Sequence, residues 1–114
     1  MILNTNTESS ITPKLISNYF ENLVNLFFKI LPMREKNEHS LNTYMKSLQL
    51  ELIGCKKLIS GFGDDHNFLT LLSILQYLID NPECELERVR REVFHSISIC
   101  NKLKAKYTPS EVHL

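Results

Sequence analysis

Little in this sequence looks like chemistry, and what it lacks narrows the reading. Glycine is scarce, with three in 114 residues, and two of them fall in "SGFGDDHN", Ser60 to Asn67. A glycine-rich phosphate cradle has only this place to be, and the stretch does not fit one. No G-K-[ST] follows, and G-x-G without a third glycine is not the dinucleotide fingerprint. Cys55, Cys84 and Cys100 are odd in number, far apart and without a C-x-x-C pair. That usage suits reduced thiols in a cytoplasmic protein better than a disulfide framework. The most apolar run, "LVNLFFKIL", carries Asn25 and Lys29 and is less than half of the roughly twenty residues a membrane span needs. The opening "MILNTNTESS" has neither a basic region nor an apolar one, so no secretion signal is expected.

A surplus of charge is missing too. Thirteen basic residues balance thirteen acidic ones, whereas a protein that holds nucleic acid by its phosphates usually carries a clear positive excess. Zero net charge leaves little long-range repulsion between copies, which permits self-association. The four histidines, His39, His66, His95 and His113, form no H-x-x-x-H or H-E-x-x-H pair. Asp64, Asp65 and His66 are adjacent in sequence, and adjacent residues rarely point at one ion. No Cys–His or Ser–His–Asp arrangement follows from the spacings. The expectation is a non-enzymatic chain with no metal and no cofactor.

What the chain does have is helical periodicity. Thr12 and Pro13 make a good helix start, and Leu15, Ile16, Tyr19, Phe20, Leu23, Phe27, Ile30 and Leu31 recur at spacings of three and four. Pro32 is expected to end this helix. Val24, Leu26 and Phe28 widen its apolar surface beyond one stripe, so it is either central to the core or covered by a second subunit. Ser40 can cap a second helix from Leu41 to about Ile59, with Tyr44, Met45, Leu48, Leu52, Cys55 and Ile59 on one face. Gly54 sits inside it at a cost of about 1 kcal/mol relative to alanine, for which a close helix contact is one reason among others. "SGFGDDHN" then reads as a corner. Gly61 takes the left-handed position, Gly63 gives a second free turn, and Asp64, Asp65 or Asn67 caps the next helix. That third helix, "FLTLLSILQYLI", is apolar on nearly all sides. Pro82 is expected to open the fourth, which Thr108 and Pro109 stop, with Glu87 and Arg91 as an i,i+4 pair. The expected fold is thus all-α, a small bundle of about four helices packing as a homodimer, with a polar arm over 1–11, one domain over 12–107 and a tail over 108–114.

The fourth helix also carries a heptad stripe. Leu86, Val93, Cys100 and Tyr107 are seven apart, Val89, Ser96 and Leu103 occupy the matching positions, and Ile97 flanks the seam. The stripe can pack on the other helices or on a second copy. As a partner-binding surface it would comprise Leu86, Val89, Val93, Ile97, Cys100, Leu103 and Tyr107, with Arg88, Arg90 and Arg91 setting orientation at its rim. Arg88, Arg91, Lys102 and Lys106 could form a basic ribbon, but Glu85, Glu87 and Glu92 interleave, which makes a solvated helix face the plainer reading.

The segment Gly63 to Ile99, "GDDHNFLTLLSILQYLIDNPECELERVRREVFHSISI", resembles the small enterobacterial biofilm-development and acid-resistance regulators. The likeness lies in a glycine-led turn, a short leucine helix with Leu71, Leu72, Leu75 and Leu78, an acidic loop and a last helix with an arginine-rich turn, Glu85 to Glu92. "LISNYF", Leu15 to Phe20, is similar to an N-terminal stretch of those proteins. The resemblance implies a helical dimer acting as a connector to a two-component phosphorelay, with effects on biofilm formation and acid or stress survival. It carries over no catalytic residue. The sequence departs from the family in a longer, more apolar segment between Leu23 and Ser47. Two other functions fit the composition: a small DNA-binding or nucleoid-associated regulator, and an immunity or antitoxin-like protein that neutralises a toxin.

Overall fold

Pro13 opens the first helix, α1 (Pro13–Phe28), where its missing N–H and preset φ cost nothing. A computed structural model describes residues 13–56, 59 and 61–108. The arm expected over 1–11, the Thr12 cap and all but Thr108 of the expected tail lie outside the described residues. The fold is all-α, as the periodicity predicts, and its four expected helices are present.

Three helix boundaries correct the sequence reading. Pro32 does not end the first helix; the break comes earlier, at Lys29, and a short α2 (Ile30–Glu35) follows with Pro32 inside its first turn. A proline ring clashes with the carbonyl four residues before it, here that of Phe28. Stopping α1 at Phe28 removes the clash and leaves Pro32 where a helix needs no donor. Asn37, in the left-handed region at φ 53°, then closes α2. The Glu38 N–H donates to the Met33 carbonyl (3.0 Å) and the Asn37 N–H to that of Arg34 (3.1 Å), the paired bonds of a Schellman ending.

The next helix, α3 (Leu41–Cys55), stops before the expected Ile59, and Ser40 gives it no side-chain cap. Ser40 has helical backbone angles and contributes only its carbonyl, to the Tyr44 N–H at 2.9 Å. Among the described residues Gly54 meets no close neighbour; a Cβ there would touch nothing within 4 Å, so no close helix contact accounts for it there. Pro82, the third correction, is not in a helix. The Cys84 N–H donates to the Asn81 carbonyl at 3.1 Å, so Pro82 is the second residue of a β-turn, the position its fixed φ favours. The last helix, α5 (Leu86–Tyr107), begins four residues later behind an extended Glu85.

"SGFGDDHN" is a corner with a plug in it. Gly61 is left-handed (φ 82°), which L side chains adopt only under strain. It turns the chain into a short 3-10 turn, Phe62–Asp64, that inserts Phe62 into the core with no exposed surface. Phe62 lies 4.4 Å from the Phe68 ring, 5.7 Å from Phe20 and 5.7 Å from Tyr107, centroid to centroid. Gly63 does not supply a second left-handed turn; it is packed against the Lys56 side chain. Asp65 caps α4 (His66–Asp80), accepting from the Asn67 N–H at 2.8 Å.

The helices form a ring. α1 packs along α5, α5 along α4, and α4 along α3, while α2 and a 2.7 Å hydrogen bond from the Tyr44 hydroxyl to the Leu26 carbonyl close the circle. Ion pairs fix α1 antiparallel to α5: Glu21 meets Lys104 (2.7 Å) and Glu35 meets Arg90 (3.7 Å). The core inside the ring contains Phe20, Leu23, Phe27, Leu52, Leu71, Leu75, Val93 and Leu103. Two faces of the ring, α1–α5 and α3–α4, therefore lie back to back. No described helix is long and apolar enough to cross a membrane.

Candidate functional site

The heptad seam of α5 faces inward. Val89, Val93, Ser96, Cys100 and Leu103 are buried by the chain's own helices, and Leu86, Ile97 and Tyr107 are half-buried at the margins. For Val89, Val93, Cys100 and Leu103 this corrects the seam as a partner surface: their side chains are already covered within one chain. Even the polar break is satisfied, since the Ser96 hydroxyl donates to the Glu92 carbonyl at 2.9 Å. Burial also pushes the Cys100 thiol up to about 12, which keeps it protonated and inert at neutral pH.

The three rim arginines do not converge. Arg88 lies on the α4 flank, paired with Glu92 at 2.8 Å and stacked over the Tyr77 ring at 4.5 Å. Arg90 lies on the opposite flank, toward Glu35. Arg91 is exposed and has no ion pair among the described residues, so the expected Glu87–Arg91 pair is replaced by Arg88–Glu92. Lys104 and Lys106 are also paired, with Glu21 and Asp65. Of the four residues of the expected ribbon, Arg88 and Lys106 are thus paired with acids, while Arg91 and Lys102 are exposed without an ion pair among the described residues.

Among the described residues Asp65 is a highly connected polar residue. Besides capping α4, its buried carboxylate accepts from the Lys106 Nζ and the Tyr107 hydroxyl, both at 2.7 Å. Burial would push this carboxyl up, but the hydrogen bonds from Lys106, Tyr107 and the Asn67 amide, with the Lys106 charge, hold it below the usual carboxylate value. The junction ties the corner to the end of α5. Its geometry is that of a structural clamp. The other corner residues, Asp64 and His66, are exposed, as are His39 and His95. Among the described residues no three His, Cys, Asp or Glu side chains stand together as a metal would require.

At the far end of the bundle, a groove of about 430 Å³ opens between the α2–α3 and α4–α5 connectors. Ile30, Leu41, Met45, Leu78 and Val89 supply its apolar lining, and Glu38 and Glu83 lie at its polar margin. Arg34 spans it, its Nη2 donating to the Cys84 carbonyl at 2.7 Å, while its buried Nε has no hydrogen-bond partner among the described residues. No sequence signal announced Arg34, because its partner is a backbone carbonyl fifty residues away.

What the surface does offer is apolar. On the α3–α4 face, Leu50, Ile53 and Leu69 are 69%, 39% and 47% exposed. The Gln49 Nε2 donates to the Gln76 Oε1 at 3.0 Å across this face, and the antiparallel register set by that bridge brings Ile53 level with the half-buried Leu72. On the α1–α5 face, Phe28 and Phe94 sit edge to face with centroids 6.1 Å apart. Comparison with protein-family models, curated proteins and solved structures finds no match for this chain. The resemblance to the biofilm-development regulators is carried by the quoted residues alone.

Proposed function

We propose that this chain works by binding another protein, and that the α3–α4 face is where the partner docks. One observation carries the reading. Leu50 and Ile53 of α3 and Leu69 of α4 expose much of their aliphatic surface, although the same helices bury Leu48, Leu52, Leu71 and Leu75 fully or nearly so. Exposed apolar area gathered on one side of a molecule marks interaction surfaces. Two antiparallel helices with a shallow apolar strip between them suit a partner helix that presents apolar residues at i, i+3 and i+4. The balanced total charge and the acids paired with Arg88, Arg90, Lys104 and Lys106 support protein over nucleic acid as the partner.

A connector role in a two-component phosphorelay, affecting biofilm formation and acid or stress response, rests on the sequence resemblance. One experiment tests both levels. A photo-crosslinking residue placed at Leu50 in the native host captures whatever docks there, and the captured protein is then purified and titrated against the chain. Leu50→Glu and Leu69→Glu should each weaken binding about tenfold or more, with the melting temperature changed by only a few degrees. Unchanged affinity in both variants sinks the α3–α4 reading. A kinase, phosphotransfer or receiver domain as the partner supports the connector role; any other protein removes it and leaves the binding module.

A further inference from the structure

We infer that two copies of this chain pair through the α1–α5 face, about a twofold axis parallel to those helices. The face has a centre and two ends. At its centre Phe28 and Phe94 are 49% and 50% exposed, an aromatic pair left in water although aromatic area is what cores and interfaces gain most from burying. Half-buried Val24 and Ile97 and exposed Asn25 and Asn101 extend the strip toward the Glu21–Lys104 end. The Glu21–Lys104 pair stands at one end of the strip and the Glu35–Arg90 pair at the other.

The arrangement of charge selects the occupant and its orientation. In both ion pairs the acid belongs to the α1–α2 flank and the base to α5. A pairing of identical faces needs a twofold axis lying in the contact plane. An axis along the helices sets α1 of one copy over α5 of the other. Each acid then meets a partner base at the same level, Glu21 with Lys104 and Glu35 with Arg90, and Phe28 lies over Phe94 of the second copy. An axis across the helices sets α1 over α1, and the two acids approach each other end for end. Only the first arrangement is complementary. A chain with no net charge adds no long-range repulsion against it.

The size of the face limits the affinity. α1 has 16 residues, about 24 Å of helix at 1.5 Å per residue. Two helices side by side are about 20 Å across, so the contact is roughly 500 Å² per copy and about 1,000 Å² in total, the lower edge of specific interfaces. The expected dimer is therefore reversible, with dissociation in the micromolar range. Its face is opposite α3–α4, so it leaves the proposed docking face open on both copies and does not depend on that reading.

Sedimentation velocity of the full chain, over roughly 1 to 500 µM to bracket a micromolar equilibrium, tests the pairing. Wild type should move from monomer to dimer across this range. Phe94→Glu should raise the dissociation constant about tenfold or more, and because Phe94 is half exposed the variant should retain wild-type helicity. The orientation is read with Glu21→Lys combined with Lys104→Glu, which preserves the pair within one chain. That double variant should dimerise with itself about as well as wild type does, yet form few mixed dimers with wild type, because like charges then oppose one another. A chain that stays monomeric throughout the range overturns the inference. So does a dimer indifferent to Phe94→Glu, or one in which the swapped and native chains mix freely.

Discussion

Leu103 and Leu50 are both leucines within long helices, and replacing each with alanine separates core from surface on the same scale. Leu103 has no exposed surface and lies in the α5 seam, whereas Leu50 is 69% exposed on α3. Truncating a fully buried leucine removes about 2–3 kcal/mol of transfer free energy and leaves a cavity, so Leu103→Ala should cost about 3 kcal/mol. For Leu50→Ala the lost burial is a third of that or less, and alanine's better helix propensity offsets part of it. The net change should be within about 0.5 kcal/mol. In a domain of this size each kcal/mol moves the melting temperature by roughly 4–8 °C, so the first variant should melt roughly 12–24 °C lower and the second within a few degrees of wild type. Thermal unfolding followed by circular dichroism at two protein concentrations is the assay. If the two variants melt together, the seam is not core. If the loss in Leu103→Ala shrinks markedly as concentration rises, Leu103 is covered by a second chain and the inward-facing seam described above is wrong.

The two glycines of opposite environment should respond to alanine with opposite signs. Gly54 lies inside α3 with open space around it, so Gly54→Ala should stabilise by about 0.5–1 kcal/mol, measured as a higher urea midpoint. Gly61 has φ 82°, and Gly61→Ala should destabilise by about 1 kcal/mol or more in the same titration, because a Cβ is strained there whatever the space. Asp65 supplies a pH dependence with a definite sign. Its folded-state carboxyl is held below the ordinary value of 3.8, so the unfolded chain binds the proton first as pH falls. The stability from its charge is therefore complete well above the unfolded value and disappears as pH drops through the folded one. Asparagine can still cap α4 but cannot carry the charge, so the gap in urea midpoint between wild type and Asp65→Asn should be constant above about pH 5 and close in stronger acid. A gap that persists unchanged at low pH would mean that shape, not charge, makes the clamp.

Apolar spacing made the helices legible, and local chemistry decided where they begin and end. The stripes over Phe20, Leu23 and Phe27, over Met45, Leu48 and Leu52, and over Leu71, Leu75 and Leu78 are the faces that are buried. Proline was harder to read, since one residue has several uses that differ only in what the neighbouring backbone does. Pro32 acts four residues upstream of itself, and Pro82 serves a turn that leads to a helix. Long-range closures left no trace in spacing: Arg34 reaches the Cys84 carbonyl and Tyr107 reaches Asp65 only after the ring has formed.

The α5 seam shows why the candidate site was legible only in part. A heptad of apolar residues states that one face of a helix avoids water, and it is silent about which chain provides the cover. Here α1 and α4 provide it, and the surplus appears elsewhere, in residues that belong to no heptad. Phe28 and Phe94 come from different helices and form one patch only because α1 runs antiparallel to α5. Leu50, Ile53 and Leu69 are joined across a hairpin whose corner had to be folded first. Counting apolar residues therefore revealed that this chain has more apolar surface than four helices can hide. Locating that excess required the ring order, which puts one part on α1–α5 and the other on the opposite side. Two unlike faces set back to back allow a chain to pair with itself on one side while holding a different protein on the other, because neither contact needs the area used by the other.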